Sequence, residues 1–164
     1  MRASHAAELL RMFGEGLELR DDTRAQLLHL LDRLRALVGA DVGGELLLAP
    51  TNDGALGVAR SVDSGWTRAS DLARMHRFYE EKGFDANPFS RAVIGAFLRG
   101  EPQTMRREDI VDAAAWYRWA FVGEVYEPCR LDHSIYSIRP GATPGTVSAL
   151  GLSREKGARP FTSE

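Results

Sequence analysis

Four histidines and one cysteine are the side chains best suited to chemistry in this chain, and their spacing argues against it. His5, His29, His76 and His133 are scattered, and none stands at metal-ligand spacing from another histidine or from Cys129. The sequence contains no Gly-x-Ser-x-Gly elbow, no phosphate-cradling glycine loop with a lysine, and no His-Glu-x-x-His. Cys129 adjoins Arg130. A neighbouring cation lowers a thiol pKa and favours redox sensing, whereas a lone cysteine near a helix end is commonly an inert apolar residue. Glu124 lies among Trp116, Trp119, Phe121, Val122 and Val125, so it needs partners wherever it is buried. The plainer expectation is that it is exposed or pairs with Arg118 or Arg130. Without a second carboxylate or a nucleophile at useful spacing, the residues define no acid–base mechanism. No catalytic residue, metal ligand or cofactor is assigned, and a small-molecule enzyme of unknown reaction is the alternative function.

The aromatic side chains remain. Trp66, Phe78, Tyr79, Phe97, Trp116, Tyr117, Trp119, Phe121, Tyr126 and Tyr136 are enough to line an apolar cavity, the usual form of a small-molecule pocket. The candidate ligand-binding residues are Trp116, Trp119, Tyr136, His133, Tyr117 and Phe97. In such a pocket the hydroxyls of Tyr117 and Tyr136 and the His133 imidazole orient the ligand. The opposing reading is that aromatic residues at helical spacing form plain core.

The elements that position these residues follow from hydrophobic periodicity. In residues 4–38 two helical patterns flank a polar break, and Leu27, Leu30, Leu31, Leu34, Leu37 and Val38 form an apolar stripe in the second. Asp21 or Asp22 is the expected N-cap and Gly39 the stop. The first helix, around residues 5–13, offers Leu9, Leu10 and Phe13. Such a stripe serves either as core or as a dimer seam. Residues 42–49 and 56–62 predict a β-hairpin around Pro50-Thr51-Asn52-Asp53-Gly54. Helices follow over 71–82, capped by Ser70 and ended by Gly83, and from Asn87-Pro88 to Gly100. A brief strand is expected within 103–111, a long aromatic helix over about 113–127, and two final strands near 133–139 and 146–153. This order predicts an α+β sandwich. Residues 1–39 are expected to pack on the domain or form the dimer seam, and residues 40–164 to form the domain itself.

With 164 residues, 44% of them hydrophobic, the chain can bury one core. Its 21 basic and 23 acidic residues leave a net charge of −2, so the basic excess of a DNA-gripping domain is absent. No apolar stretch reaches membrane-spanning length. The N-terminus lacks the basic-then-apolar order of a secretory signal, and a cytoplasmic protein is expected. One cysteine permits no internal disulfide.

Residues 116–161 carry a more specific pattern. Trp116-Tyr117 opens a helix, Glu124 follows, Asp132 precedes a strand, and a turn from Gly141 to Gly145 leads to Leu152 and Arg154. Gly157, Pro160 and Phe161 close it. This resembles the end of the N-terminal sensor domain of bacterial LuxR-type transcription regulators, a GAF/PAS-like module. The resemblance implies a five-stranded antiparallel sheet in the order 2-1-5-4-3, a small-molecule ligand it does not name, and a homodimer. It also implies that Pro160, Phe161 and Glu164 lead toward a DNA-binding helix-turn-helix beyond residue 164, so that DNA is contacted only there.

Overall fold

The computed structural model describes residues 3–52, 56–101 and 104–162. Helix α1 (Ala3–Glu18) and helix α2 (Thr23–Val38) precede strands β1 (Val42–Pro50) and β2 (Leu56–Ser64). Helices α3 (Ala69–Lys82) and α4 (Pro88–Leu98) then lead to strand β3 (Thr104–Arg106) and the short helices α5 (Arg107–Ile110) and α6 (Ala113–Trp116). Strands β4 (Leu131–Pro140) and β5 (Val147–Glu155) complete the fold.

The sheet is antiparallel, with strand order β2-β1-β5-β4-β3. This is the expected architecture. Strand β1 pairs with β2 through the register Glu45 to Val62, and with β5 through Leu46 to Ala149, so two strands about a hundred residues apart lie side by side. Residues 53 and 54 of the expected hairpin turn lie outside the described residues.

Strand alternation divides the sheet between two layers. On one face Val62, Leu150, Leu152 and Ile135 meet Leu27, Leu31, Leu34 and Val38 of α2. The leucine stripe of α2 thus packs on the sheet. Asp22 caps α2 by accepting from the Ala25 N–H at 2.9 Å, and Gly39 ends it at φ 65°. Helix α1 packs on α2 through Glu15, whose carboxylate lies 2.7 Å from Arg33, yet Leu10, Phe13 and Leu17 stay exposed.

The other face carries two continuous aromatic clusters under α3, α4 and the segment 113–130. Trp116, Phe121, Val122, Val125 and Tyr126 are each no more than 1% exposed. Phe89 and Val93 of α4 cover Leu48, Ile138 and Ala149. Asn87 caps α4 as its sequence predicts, accepting from the Phe89 N–H at 3.0 Å, with Pro88 at the first helical position.

Three expectations need correction. The continuous helix over 113–127 is instead α6, a turn over 117–119, and a π-helical turn at Val122–Tyr126 closed by the Glu127 N–H to the Val122 carbonyl at 2.9 Å. On one regular helix the five buried residues would spread over more than half the circumference, and could not all face one core. Helix α3 begins at Ala69 after Arg68, with no side-chain cap from Ser70. Glu124 is exposed, as one of its two expected placements had it, but the pairing with Arg118 or Arg130 is corrected: it accepts from Lys82 Nζ at 2.6 Å.

Candidate ligand-binding site

A cavity of about 390 Å³ lies between the sheet and helix α3. That volume is within the range of small-molecule sites. Its existence follows from residue size on the inner face of the sheet. Gly44 of β1 pairs with Gly151 of β5, which pairs with Tyr136 of β4. With Ala149 and Ser153 beside them, the central strands present little side-chain bulk between Val42 and Leu46. Large residues enclose the space from elsewhere: Trp66 after β2, Met75 and Tyr79 on α3, Phe84 in the following 3-10 turn, and Tyr126 from the π-helical turn. A β-carbon on Gly151 would sit 3.4 Å from the Tyr136 ring, which leans across the glycine.

Hydroxyl groups cluster on the inner wall. The Tyr126 hydroxyl lies 2.8 Å from Ser134 Oγ, 3.1 Å from Ser153 Oγ and 3.5 Å from the Tyr136 hydroxyl. Asn87 is fully buried and donates from Nδ2 to the Tyr79 hydroxyl at 2.9 Å, so the cap of α4 also orients a cavity-lining tyrosine. Burial pushes the Tyr79 phenol up to about 12, with the nearby Tyr126 adding to the shift. Burial likewise raises Tyr136 well above the usual tyrosine range. Both remain neutral hydroxyls at physiological pH, able to donate or accept a hydrogen bond within the cavity. Trp66 leaves its indole N–H buried with no acceptor. The ionisable side chains at the opening are Asp63, His76 and Glu80, with His76 Nε2 3.0 Å from Asp63.

Of the six candidate residues, Tyr136 lines this cavity. Trp116 stands behind it, fully buried, with ring centroids 5.3 Å from both Trp119 and Tyr126 and 6.4 Å from Phe89. Trp119 is partly buried against both aromatic clusters, and Phe97 against the α4 cluster. Tyr117 and His133 belong to a different constellation. Arg107 of α5 and Asp132 of β4, each 6% exposed, form a buried ion pair. Tyr117 donates to Asp132 Oδ2 at 2.8 Å, and His133 Nδ1 lies 2.7 Å from Glu108. This group joins α5 and the α6 turn to the edge of the sheet. Trp66, Tyr79 and Tyr126 come from the wider aromatic set, whereas Met75, Phe84 and the small strand residues were not anticipated. Two signals pointed to them: the i, i+4 pair Met75 and Tyr79 on one helix face, and the small residues alternating along β5.

Cys129 is buried, and burial pushes its thiol up to about 11, with Asp71 nearby adding to the effect. Arg130 therefore does not produce the activated thiolate considered from the sequence. Relative to the ordinary value of 9.0, this shift lowers the thiolate fraction about 100-fold at neutral pH. Alkylation at pH 8 should be slower in the folded protein by at least that factor than in urea, as followed by intact mass. The raised folded-state pKa gives a definite sign. Stability from the neutral thiol is complete below pH 9 and is lost as pH rises toward 11.

Among the described residues no group of three or more His, Cys, Asp and Glu side chains is placed to hold a metal ion. No described helix is long and apolar enough to cross a membrane.

The sequence matches no protein-family model and no curated protein. Solved structures do match. The VqsR ligand-binding domain from Pseudomonas aeruginosa superposes with a TM-score of 0.62 at 12% identity, over 92% of this chain and 81% of that one. CepR2 from Burkholderia cenocepacia, an N-acylhomoserine lactone dependent LuxR-family transcription factor, gives 0.63 at 13% identity over 99% and 84%. SdiA from Escherichia coli gives 0.62 at 12% over 98% of this chain and 59% of SdiA. Sheet order, helical layers and superposition agree: this chain has the fold of LuxR-family ligand-binding domains.

Proposed function

We propose that residues 1–164 form the ligand-sensing domain of a LuxR-type transcription regulator, acting in the cytoplasm and controlling a DNA-binding helix-turn-helix beyond residue 164. The observation that carries this reading is the aromatic cavity with its few convergent hydroxyls, set in a domain of that fold. The cavity binds and does not catalyse: its inner wall carries tyrosine and serine hydroxyls, and its charged side chains, Asp63, His76 and Glu80, have no nucleophile beside them to activate. Tyr136 touches the ligand directly. Trp116, Trp119 and Phe97 support the wall, and Tyr117 and His133 hold α5 and the α6 turn against the sheet.

A route from ligand to output supports the same reading. Ser153 faces the cavity, and the next residue, Arg154, donates to the carbonyls of Gly39 at 3.0 Å, Arg159 at 2.7 Å and Pro160 at 3.1 Å. Its guanidinium also covers the Phe161 ring at 4.1 Å. Strand β5 is thereby tied to the end of α2 and to the tail that leads onward. The exposed Leu10, Phe13 and Leu17 of α1 support a homodimer in which residues 1–39 contribute the seam.

Native mass spectrometry of freshly purified protein tests the reading, together with thermal shifts on N-acylhomoserine lactones, the class on which CepR2 depends. A co-purified molecule or a rise in Tm is expected, abolished by Ala149→Leu, which fills the cavity. Absence of both overturns it. Residues 1–164 alone are expected not to bind duplex DNA specifically, since net charge is −2 and the Arg106-Arg107 pair is neutralised by Asp109 and Asp132. Submicromolar, sequence-dependent binding in an anisotropy assay would reverse that division of labour.

A further inference from the structure

We infer that the cavity selects its ligand by charge, taking an amphipathic molecule with a protonated amine and excluding carboxylates and phosphates. This rests on the reading of the cavity as a ligand site and adds the chemical class of the head group. Apart from tyrosines, the ionisable side chains among its described lining residues are Asp63, Glu80 and His76. No lysine or arginine is among them. The cations on neighbouring elements are committed elsewhere: Arg60 lies 3.4 Å from Glu45, Arg68 2.7 Å from Asp71, and Lys82 bonds Glu124. Arg74 and Arg77 line a separate groove shared with Gly123 and Pro128.

The two carboxylates at the opening are correspondingly under-compensated. Asp63 has His76 as its one ion-pair partner, and Glu80 has none among the described residues. Gly44 lacks the β-carbon that would sit 3.0 Å from Asp63 Oδ1, which leaves that oxygen open from the strand side. An anionic head entering between apolar walls would give up its hydration and meet two like charges, with His76, already paired to Asp63, as the one group there able to offset them. A protonated amine meets the opposite field, and its apolar body lies against Leu46, Met75 and Phe84. The unpartnered Trp66 N–H adds a donor for one acceptor atom on the ligand, such as an amide carbonyl.

Octylamine, octanamide and octanoate share one chain length and differ in head charge, so calorimetry with the full chain below micelle-forming concentrations isolates the effect. Octylamine is expected to bind at least about tenfold more tightly than octanoate, with octanamide between them. In a Glu80→Gln, Asp63→Asn double variant that preference should fall to about threefold or less. Glu80→Gln alone, at an exposed position, should give a partial reduction and guards against loss of folding in the pair. Octanoate binding as tightly as octylamine overturns charge selection and leaves the ligand-sensing reading intact. Failure of all three to bind, or binding undiminished by Ala149→Leu, also overturns charge selection in this cavity, and the ligand-sensing reading falls with it only where freshly purified protein carries no molecule and N-acylhomoserine lactones give no rise in Tm.

Discussion

Replacing Asp132 with alanine is expected to remove about 3–5 kcal/mol of folding stability, read as a lowered midpoint in urea denaturation with little change in slope. Asp132 compensates Arg107, which is 6% exposed, and accepts from the Tyr117 hydroxyl at 2.8 Å. The variant leaves a guanidinium in the interior with Glu108, 3.1 Å away, as its remaining counter-charge. An uncompensated buried charge is costly because its hydration is lost without a matching attraction. Two controls separate pairing from packing. Asp132→Asn should lose less, because its amide oxygen still accepts from Arg107 or Tyr117. Arg107→Met combined with Asp132→Leu should recover most of the loss, since replacing both charges removes the penalty with the attraction. A double variant as unstable as Asp132→Ala would show that the loss arises from shape and not from charge.

Trp116→Ala is expected to cost a similar amount, about 3–5 kcal/mol, because the indole is fully buried among Phe89, Trp119 and Tyr126. Trp116→Phe should cost much less. It keeps an aromatic ring against those edges and removes an indole N–H that is buried without a partner. The informative measurement is ligand response in the phenylalanine variant. Trp116 does not line the cavity, so binding should be unchanged while stability falls. Altered binding without altered stability would place Trp116 at the ligand, as its spacing from Trp119 had suggested.

The strands were legible for a simple reason. Val42 to Ala49 is too short for a helix and is followed by concentrated turn residues, and Leu56 to Val62 alternates in the period of a strand. The α2 stripe and its caps are equally local, as are Asn87-Pro88 and Gly83 at their helix ends. The sheet order came from the resemblance carried by residues 116–161, and the pairing of β1 with β5 agrees with it. The candidate site was less legible. Aromatic residues from the wider set line the cavity, but the choice among them favoured the segment 116–119, where their density is highest, whereas the wall is made by Trp66, Tyr79, Tyr126 and Tyr136.

What the sequence by itself determined is the five strands and the helices α2 and α4 with their local end signals, together with a leucine stripe on α2 that could serve as core or seam. Those properties depend on backbone preference and on side-chain period over a few residues. The tertiary structure alone decided which aromatics face a hollow and which fill a core. Tyr136 lines the cavity because Gly151, its partner on β5, and Gly44, paired with Gly151 from more than a hundred positions away, offer no bulk of their own. Trp116 is core because the chain breaks at 117–119 and turns the indole onto Phe89 and Tyr126. A cavity is the space left between elements after packing, and its boundary depends on side-chain volumes from β1, β5, α3 and the π-helical turn together. No local period encodes that sum.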